Sequence, residues 1–325
     1  MLEFINTIKD FWFPGTETSG KMPLLEKGQG EKVPYSSTIR HVKVDGDIDI
    51  AYIDEGKKDA DVLVFIHGMG GAIPTWRKNI SFLRTQYRCI ALDLPGHGHS
   101  SKDEYHFTMA FYSDVLSSFL DKMGLRDVTL IGHSMGAQIA TVAAIKQNER
   151  IAKLIVVSPS GFEPYTAIEK QMLINLQVGV TAGAQAFTMH KFNYLTGFCN
   201  DHKMAADILK RLPIYQEESY IFGKMMLRCV QSMLLESVDT SLHKVKLPCL
   251  VLLGKEDKVS PYTYLRSEEY YEIVSRQAKR LPNRRTFVFE SGCHFIQYQK
   301  PKTFNSIVLK FLKENENNDA DRIKS

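Results

Sequence analysis

An α/β fold, an eight-stranded mostly parallel sheet with helices on both faces and an inserted α-helical cap, is predicted for this 325-residue chain by three features. Eight short β-rich runs alternate with helical patterns along most of its length. The later runs, Val62-Leu-Val-Phe-Ile and Leu154-Ile-Val-Val among them, are continuously apolar, as strands covered on both faces are. Residues 163–246 carry helical periodicity with no convincing strand, so they interrupt the alternation as a cap.

Taken in order, residues 1–38 read as an N-terminal extension and linker. Leu2, Ile5, Ile8, Phe11 and Trp12 fall at helical spacing, and residues 15–34 are rich in Gly, Pro, Ser, Thr and Lys. The stripe within residues 1–13 is expected to dock on the body, with weak contact to a membrane surface as its alternative role. The first part of the core, 39–162, holds strand runs at 39–44, 48–53, 62–67, 89–92, 128–131 and 154–157. Between them Phe107, Phe111, Val115, Leu116, Phe119, Leu120 and Met123 repeat at helical spacing. Cap helices are marked by Met204, Ile208 and Leu212, and by Phe222, Met225, Met226, Val230 and Met233. The second part of the core, 247–313, has strand runs at 250–253 and 286–289, then a helix with Phe304, Ile307, Val308, Phe311 and Leu312 on one face. The polar stretch 314–325 reads as a disordered tail.

Composition excludes several classes of function. With 44% hydrophobic and 24% charged residues the chain is neither disordered nor able to offer a continuous apolar bilayer span. Its 41 Lys plus Arg against 37 Asp plus Glu are dispersed, so nucleic acid is not an expected partner. The five cysteines, Cys89, Cys199, Cys229, Cys249 and Cys293, have no metal-ligand or C-x-x-C spacing and read as free thiols in a reducing, cytoplasmic setting. Cys293, beside a histidine, reads as a buried small apolar residue rather than a modulator of its neighbour or a redox-sensitive group. No G-x-G-x-x-G, Walker-type or H-E-x-x-H motif occurs, and the H-x-H of His97 and His99 lacks a third ligand. Neither cofactor nor metal is therefore expected.

The strongest chemical signal is Gly132-His133-Ser134-Met135-Gly136, between the apolar strand Val128-Thr-Leu-Ile and the small-residue helix that opens at Ala137. Glycines two before and two after the serine permit a strand-to-helix turn too sharp for Cβ atoms, which exposes Ser134 as a nucleophile. A serine needs a base, and the base an orienting acid. Asp257 follows the apolar run 250–253, and His294 follows the run 286–289, in the chain order Ser, Asp, His. Glu256 and Glu163 are the fallback acids. Two backbone N–H groups must then face the developing oxyanion: Met135, after the nucleophile, and Met69 in His67-Gly68-Met69-Gly70-Gly71, with Gly70 as alternative. His67 is expected to pin that loop. Gly68, Gly70, Trp76, His133, Phe162, Phe187, Met226 and Phe295 are expected to contact substrate.

These motifs, with Asp93-Leu-Pro-Gly-His-Gly-His-Ser100 and Gly292-Cys-His294-Phe, resemble the α/β-hydrolase superfamily from about residue 39 to about residue 313. The resemblance implies a Ser-His-Asp hydrolase with a cap over its site. Serine at position 134 argues against the relatives that place aspartate there, the haloalkane dehalogenases and epoxide hydrolases. The expected activity is cofactor-independent hydrolysis of a carboxylic ester, or a thioester, of a small-to-medium apolar acyl group. Cleavage of a carbon–carbon bond or a prolyl amide on the same residues is the alternative, and a catalytically slow ligand receptor the alternative of another class.

Overall fold

The computed structural model describes residues 37–146, 149–180, 197–199, 201–209, 219–260, 265 and 268–324. The stripe at 1–13, the linker at 15–34 and Phe187 lie outside the described residues.

Strands β1 (Arg40–Val44), β2 (Ile48–Gly56), β3 (Val62–Ile66), β4 (Arg88–Leu92), β5 (Val128–His133), β6 (Ile151–Val157), β7 (Cys249–Gly254) and β8 (Arg284–Phe289) form one sheet in the order β1-β2-β4-β3-β5-β6-β7-β8. β2 runs antiparallel to both β1 and β4, and every other neighbouring pair is parallel. All eight expected runs are strands, with ends that hydropathy does not mark. β6 begins at Ile151 because Lys153 continues the ladder opposite Thr129, and β8 begins at Arg284, paired with Cys249. The outermost strands carry exposed charges, Arg40 on one and Arg284 and Arg285 on the other, which discourage edge-to-edge pairing.

Among the described residues the helices are α1 (Arg77–Leu83), α2 (Met109–Lys122), α3 (Met135–Ile145), α4 (Ala167–Val180), α5 (His202–Leu209), α6 (Ser219–Leu235), α7 (Tyr270–Ala278), α8 (Ile296–Gln299) and α9 (Pro301–Lys324). The period of two in each strand explains the continuous apolar runs. Val64, Ile66, Leu130, Leu154, Val156 and Val251 enter a core beneath α2 and α3, whereas Leu63, Phe65, Ile131, Ile155, Val157 and Leu250 enter a second core with Ile80 of α1 and Phe304, Val308 and Phe311 of α9. Each such side chain stabilises the fold by roughly 1.5–3 kcal/mol relative to exposure. Thr108 caps α2 by accepting the Phe111 N–H, and Gly124, at φ 62°, ends it in a left-handed turn.

The cap, inserted between β6 and β7, contributes α4, α5 and α6. It is fastened to the core at defined points. The first-turn N–H groups of Met109 and Ala110 on α2 donate to Ser232 Oγ and Glu236 Oε2, so the end of α6 supplies acceptors and a negative charge where α2 lacks them. Gln138 on α3 donates to the Met233 and Glu236 carbonyls. On the other side Arg77 of α1 pairs with Asp207 of α5 at 2.8 Å, and both hydrogen-bond the Tyr298 hydroxyl.

Where a tail was expected from residue 314, α9 continues as helix to Lys324. Its polar run keeps helical geometry because each added residue closes one more backbone hydrogen bond, and because Glu314 meets Arg285 while Glu316 accepts from the Tyr87 hydroxyl at 2.9 Å. Among the described residues no helix is long and apolar enough to cross a membrane.

Candidate active site

Ser134 stands between the last residue of β5 and the first of α3, with φ 53° and ψ −119°. A non-glycine residue at such a φ is strained, and surrounding contacts must impose it. They do: the Ser134 N–H donates to the Val157 carbonyl of β6, while its own carbonyl accepts from Ala137 and Gln138 in the first turn of α3. The flanking glycines are sterically required. A Cβ on Gly132 would lie 2.4 Å from the Gly136 carbonyl oxygen, and one on Gly136 2.4 Å from that of Ile66. Ser134 is half-buried, among neighbours that are almost wholly enclosed.

Asp257 and His294 come together from the loops after β7 and β8. His294 Nδ1 lies 2.8 Å from Asp257 Oδ2, with Asp257 only 1% exposed, and Asp257 Oδ1 accepts the Val259 N–H. The fallback acids are engaged elsewhere. Glu163 Oε1 accepts from Ser260 at 2.7 Å, and burial, with the charge of Asp257 adding to it, raises the Glu163 carboxyl above its usual range. Glu256 lies against the sulfurs of Cys199 and Cys293. The serine and histidine loops are joined by His133: its Nε2–H donates to the His294 carbonyl at 3.0 Å, and the two rings lie 4.7 Å apart. Burial, and to a lesser degree His294, hold the His133 imidazole well below its usual range, so it is the neutral donor tautomer.

The loop after β3 is rigid by construction. The Gly68 carbonyl accepts both the Gly71 N–H and His67 Nδ1–H, and His67 Nε2 accepts the Leu94 N–H. Burial depresses the His67 pKa to about 4, which keeps it in this neutral form. The sequence marks His97 only as a loop residue. The structure uses its Nε2 to accept the Gly70 N–H at 3.1 Å while Nδ1 faces the Pro95 carbonyl. The N–H of Gly70, the alternative oxyanion donor, is thereby engaged. Met135, as the first residue of α3, has an N–H without an intrahelical acceptor. A Cβ on Gly68 would lie 3.0 Å from that of Ser134, so this loop and the elbow are in contact. Asp93 ties the next loop to it, accepting the Ile73 and His99 N–H groups. The short spacing of Asp93, Gly98 and His99 was the available signal, since a Cβ on Gly98 would overlap the Asp93 carboxylate.

The expected substrate contacts divide. Gly68, His133 and Phe295 adjoin Ser134 or His294, with the Phe295 ring 4.8 Å from that of His133. Phe162 and Met226 are buried in the core shared with the cap. Trp76 is fully buried between Phe65 and Phe304 in the second core, with its ring edge toward His133. The free-thiol reading is corrected. Cys199 of the cap and Cys293 form a disulfide, while Cys89, Cys229 and Cys249 are free and buried. Five cysteines leave room for two pairs at most, and a separation of 94 positions left no sequence signal for this one. Disulfides persist in oxidising settings, so the cysteines no longer argue for a reducing compartment. Cys199, Glu256 and Cys293 are the one metal-ligand-like group among the described residues, but joined sulfurs offer no thiolate to an ion.

Comparison with known proteins agrees with this architecture. The dihydrolipoyllysine-residue acetyltransferase component of an acetoin cleaving system from Cupriavidus necator is 38% identical over 127 residues, 39% of this chain, so the match spans only 33% of that relative. The uncharacterized hydrolase YugF of Bacillus subtilis is 25% identical over 283 residues, covering 85% of this chain and 98% of that protein. The crystal structure of a probable hydrolytic enzyme from Pseudomonas aeruginosa superposes with a TM-score of 0.72 at 20% identity, over 86% of this chain and 95% of that one. The model of the alpha/beta hydrolase fold matches residues 61–301, and the chain belongs to that family of hydrolases.

Proposed function

We propose that the protein is a serine hydrolase that cleaves carboxylic esters, or thioesters, of a small-to-medium apolar acyl group through an acyl-enzyme. The observation that carries the reading is the buried Asp257–His294 pair at 2.8 Å, tied through His133 to the strained turn that presents Ser134.

Ser134 attacks the substrate carbonyl as His294 takes its proton, and Asp257 holds the imidazole in the tautomer that leaves Nε2 free and stabilises the imidazolium. The Met69 and Met135 amides receive the oxyanion, each such donor contributing about 3 kcal/mol to the transition state. His294 then protonates the leaving group, and water activated by the same histidine releases the acid and restores Ser134. Apolar acyl groups are favoured because Phe295 packs against His294 and stacks on Phe198, while the His202 and Arg228 side chains of the cap are exposed.

The test is labelling with a fluorophosphonate, wild type against Ser134→Ala, followed by hydrolysis of p-nitrophenyl esters from acetate to laurate. Stoichiometric labelling lost in the variant, with a maximum at one chain length, is expected. Folded wild-type protein that does not label would overturn the reading.

A further inference from the structure

Cys293 immediately precedes His294, and Glu256 immediately precedes Asp257, so the residues beside the acid and the base meet at one point. There they meet the cap. Cys199 is disulfide-bonded to Cys293 with 6.0 Å between the Cα atoms, and its Sγ lies 3.4 Å from the Glu256 carbonyl oxygen. The flanking residues are matched as well. Phe198 stacks on Phe295 with ring centroids 4.6 Å apart, and the Phe295 N–H donates to the Gly197 carbonyl at 3.3 Å. A Cβ on Gly197 would lie 2.5 Å from the Phe295 ring, so only glycine lets this strap lie flat on the histidine loop.

Position separates this bond from a staple of the core. It joins the cap to a catalytic loop rather than bracing the sheet, and Cys199 is exposed whereas Cys293 is buried. The three remaining cysteines are enclosed, and burial pushes their thiols up to about 12, which makes them inert to exchange. Thiol chemistry is thus confined to one accessible sulfur.

We propose that Cys199 and Cys293 are a reversible thiol–disulfide site, read by a dithiol reductant, that fastens the cap strap to the His294 loop when oxidised and frees it when reduced. The proposal rests on the serine hydrolase reading for its effect on activity. In reduction, a thiolate of the dithiol attacks Cys199 Sγ, forming a mixed disulfide as the Cys199–Cys293 bond breaks. Cys293 leaves as a thiolate and takes a proton from solvent, where the Glu256 carboxylate, 3.8 Å away, accepts a hydrogen bond from the new thiol. The second thiol of the reductant then closes its own disulfide and releases Cys199, so two electrons and two protons pass to the cysteine pair. Reoxidation by a disulfide such as oxidised glutathione reverses these steps. Without the covalent bond the strap keeps its ring contacts with Phe295 and Tyr298 and its backbone hydrogen bond but loses its covalent tie to the His294 loop, so the cap opens more readily over Ser134.

The experiment compares the full chain after oxidised glutathione and after dithiothreitol, with Cys199→Ser alongside. Alkylation after denaturation, read by mass, is expected to modify three cysteines in the oxidised protein and all five in the reduced one. A long-chain fluorophosphonate is expected to label reduced wild type at least about fivefold faster than oxidised wild type, within the usual range of coupling between sites. Cys199→Ser should match reduced wild type and ignore dithiothreitol. Five alkylated cysteines after oxidation, or equal labelling of the two forms, would overturn the proposal. If neither form labels, the hydrolase reading has failed, and proteolysis within the cap decides the tether: faster cleavage after reduction supports it, and equal rates refute it.

Discussion

The N–H of Gly70 is hydrogen-bonded to Nε2 of His97, 27 residues away, so the loop after β4 helps to set the direction of the Gly70 amide in the loop after β3. His97→Phe removes that acceptor while filling its buried space. The expected outcome is a fall in kcat of about tenfold with KM little changed, smaller than the hundredfold or greater loss typical when an oxyanion donor itself is removed. Steady-state kinetics on the best p-nitrophenyl ester measure the split, and an unchanged kcat would remove His97 from this role.

Strain at Ser134 predicts that activity and stability move apart. Ser134→Gly should abolish labelling yet raise stability by about 1 kcal/mol, since glycine accepts a φ of 53° without the side-chain penalty. Gly136→Ala should do the opposite to the fold, costing about 3 kcal/mol or more, because the new Cβ meets the Ile66 and His67 carbonyl oxygens at 2.4 and 2.5 Å. Urea titration of both variants against wild type checks the pair.

His67 makes the fold acid-sensitive. Its pKa is depressed from 6.5 unfolded to about 4 folded, so below pH 6.5 the unfolded chain binds the proton that the native imidazole refuses. Stability is complete above that pH and declines as the pH falls toward 4. Between pH 7 and 5 the loss attributable to this group is about 2 kcal/mol. His67→Gln should show a correspondingly flatter dependence in denaturant titrations at the two pH values; parallel curves would remove His67 as the source.

Glu163 gives the opposite slope. Its carboxyl is raised by burial, so its contribution is fully present below the unfolded pKa of 4.5 and is lost as pH rises through the folded value. Glu163→Gln keeps an acceptor for the Ser260 hydroxyl and has no charge to bury. Relative to wild type it should gain stability as the pH increases, which thermal melts at pH 5 and pH 8 would register. Turnover should persist, since the carboxylate paired with His294 is that of Asp257.

The features legible in the sequence are those enforced within a few residues of chain. Continuous apolar runs mark β3, β5, β6 and β7 because both faces of a strand must be covered, and the two glycines around Ser134 mark its turn because a Cβ there meets backbone. The choice among Asp257, Glu256 and Glu163 belonged to the tertiary structure, since all three follow apolar runs and only the packing of β6, β7 and β8 side by side brings one carboxylate to His294. The same holds for Trp76, whose place beneath the sheet depends on the pitch of the turn after β3, and for Phe198, which meets Phe295 only through the cap. The charges of Glu314 and Glu316 in α9 say nothing of their Arg285 and Tyr87 partners on the body. Cys199 and Cys293 are the clearest case: local sterics cannot act across 94 residues, and what joins them is the way the folded cap lies on the histidine loop.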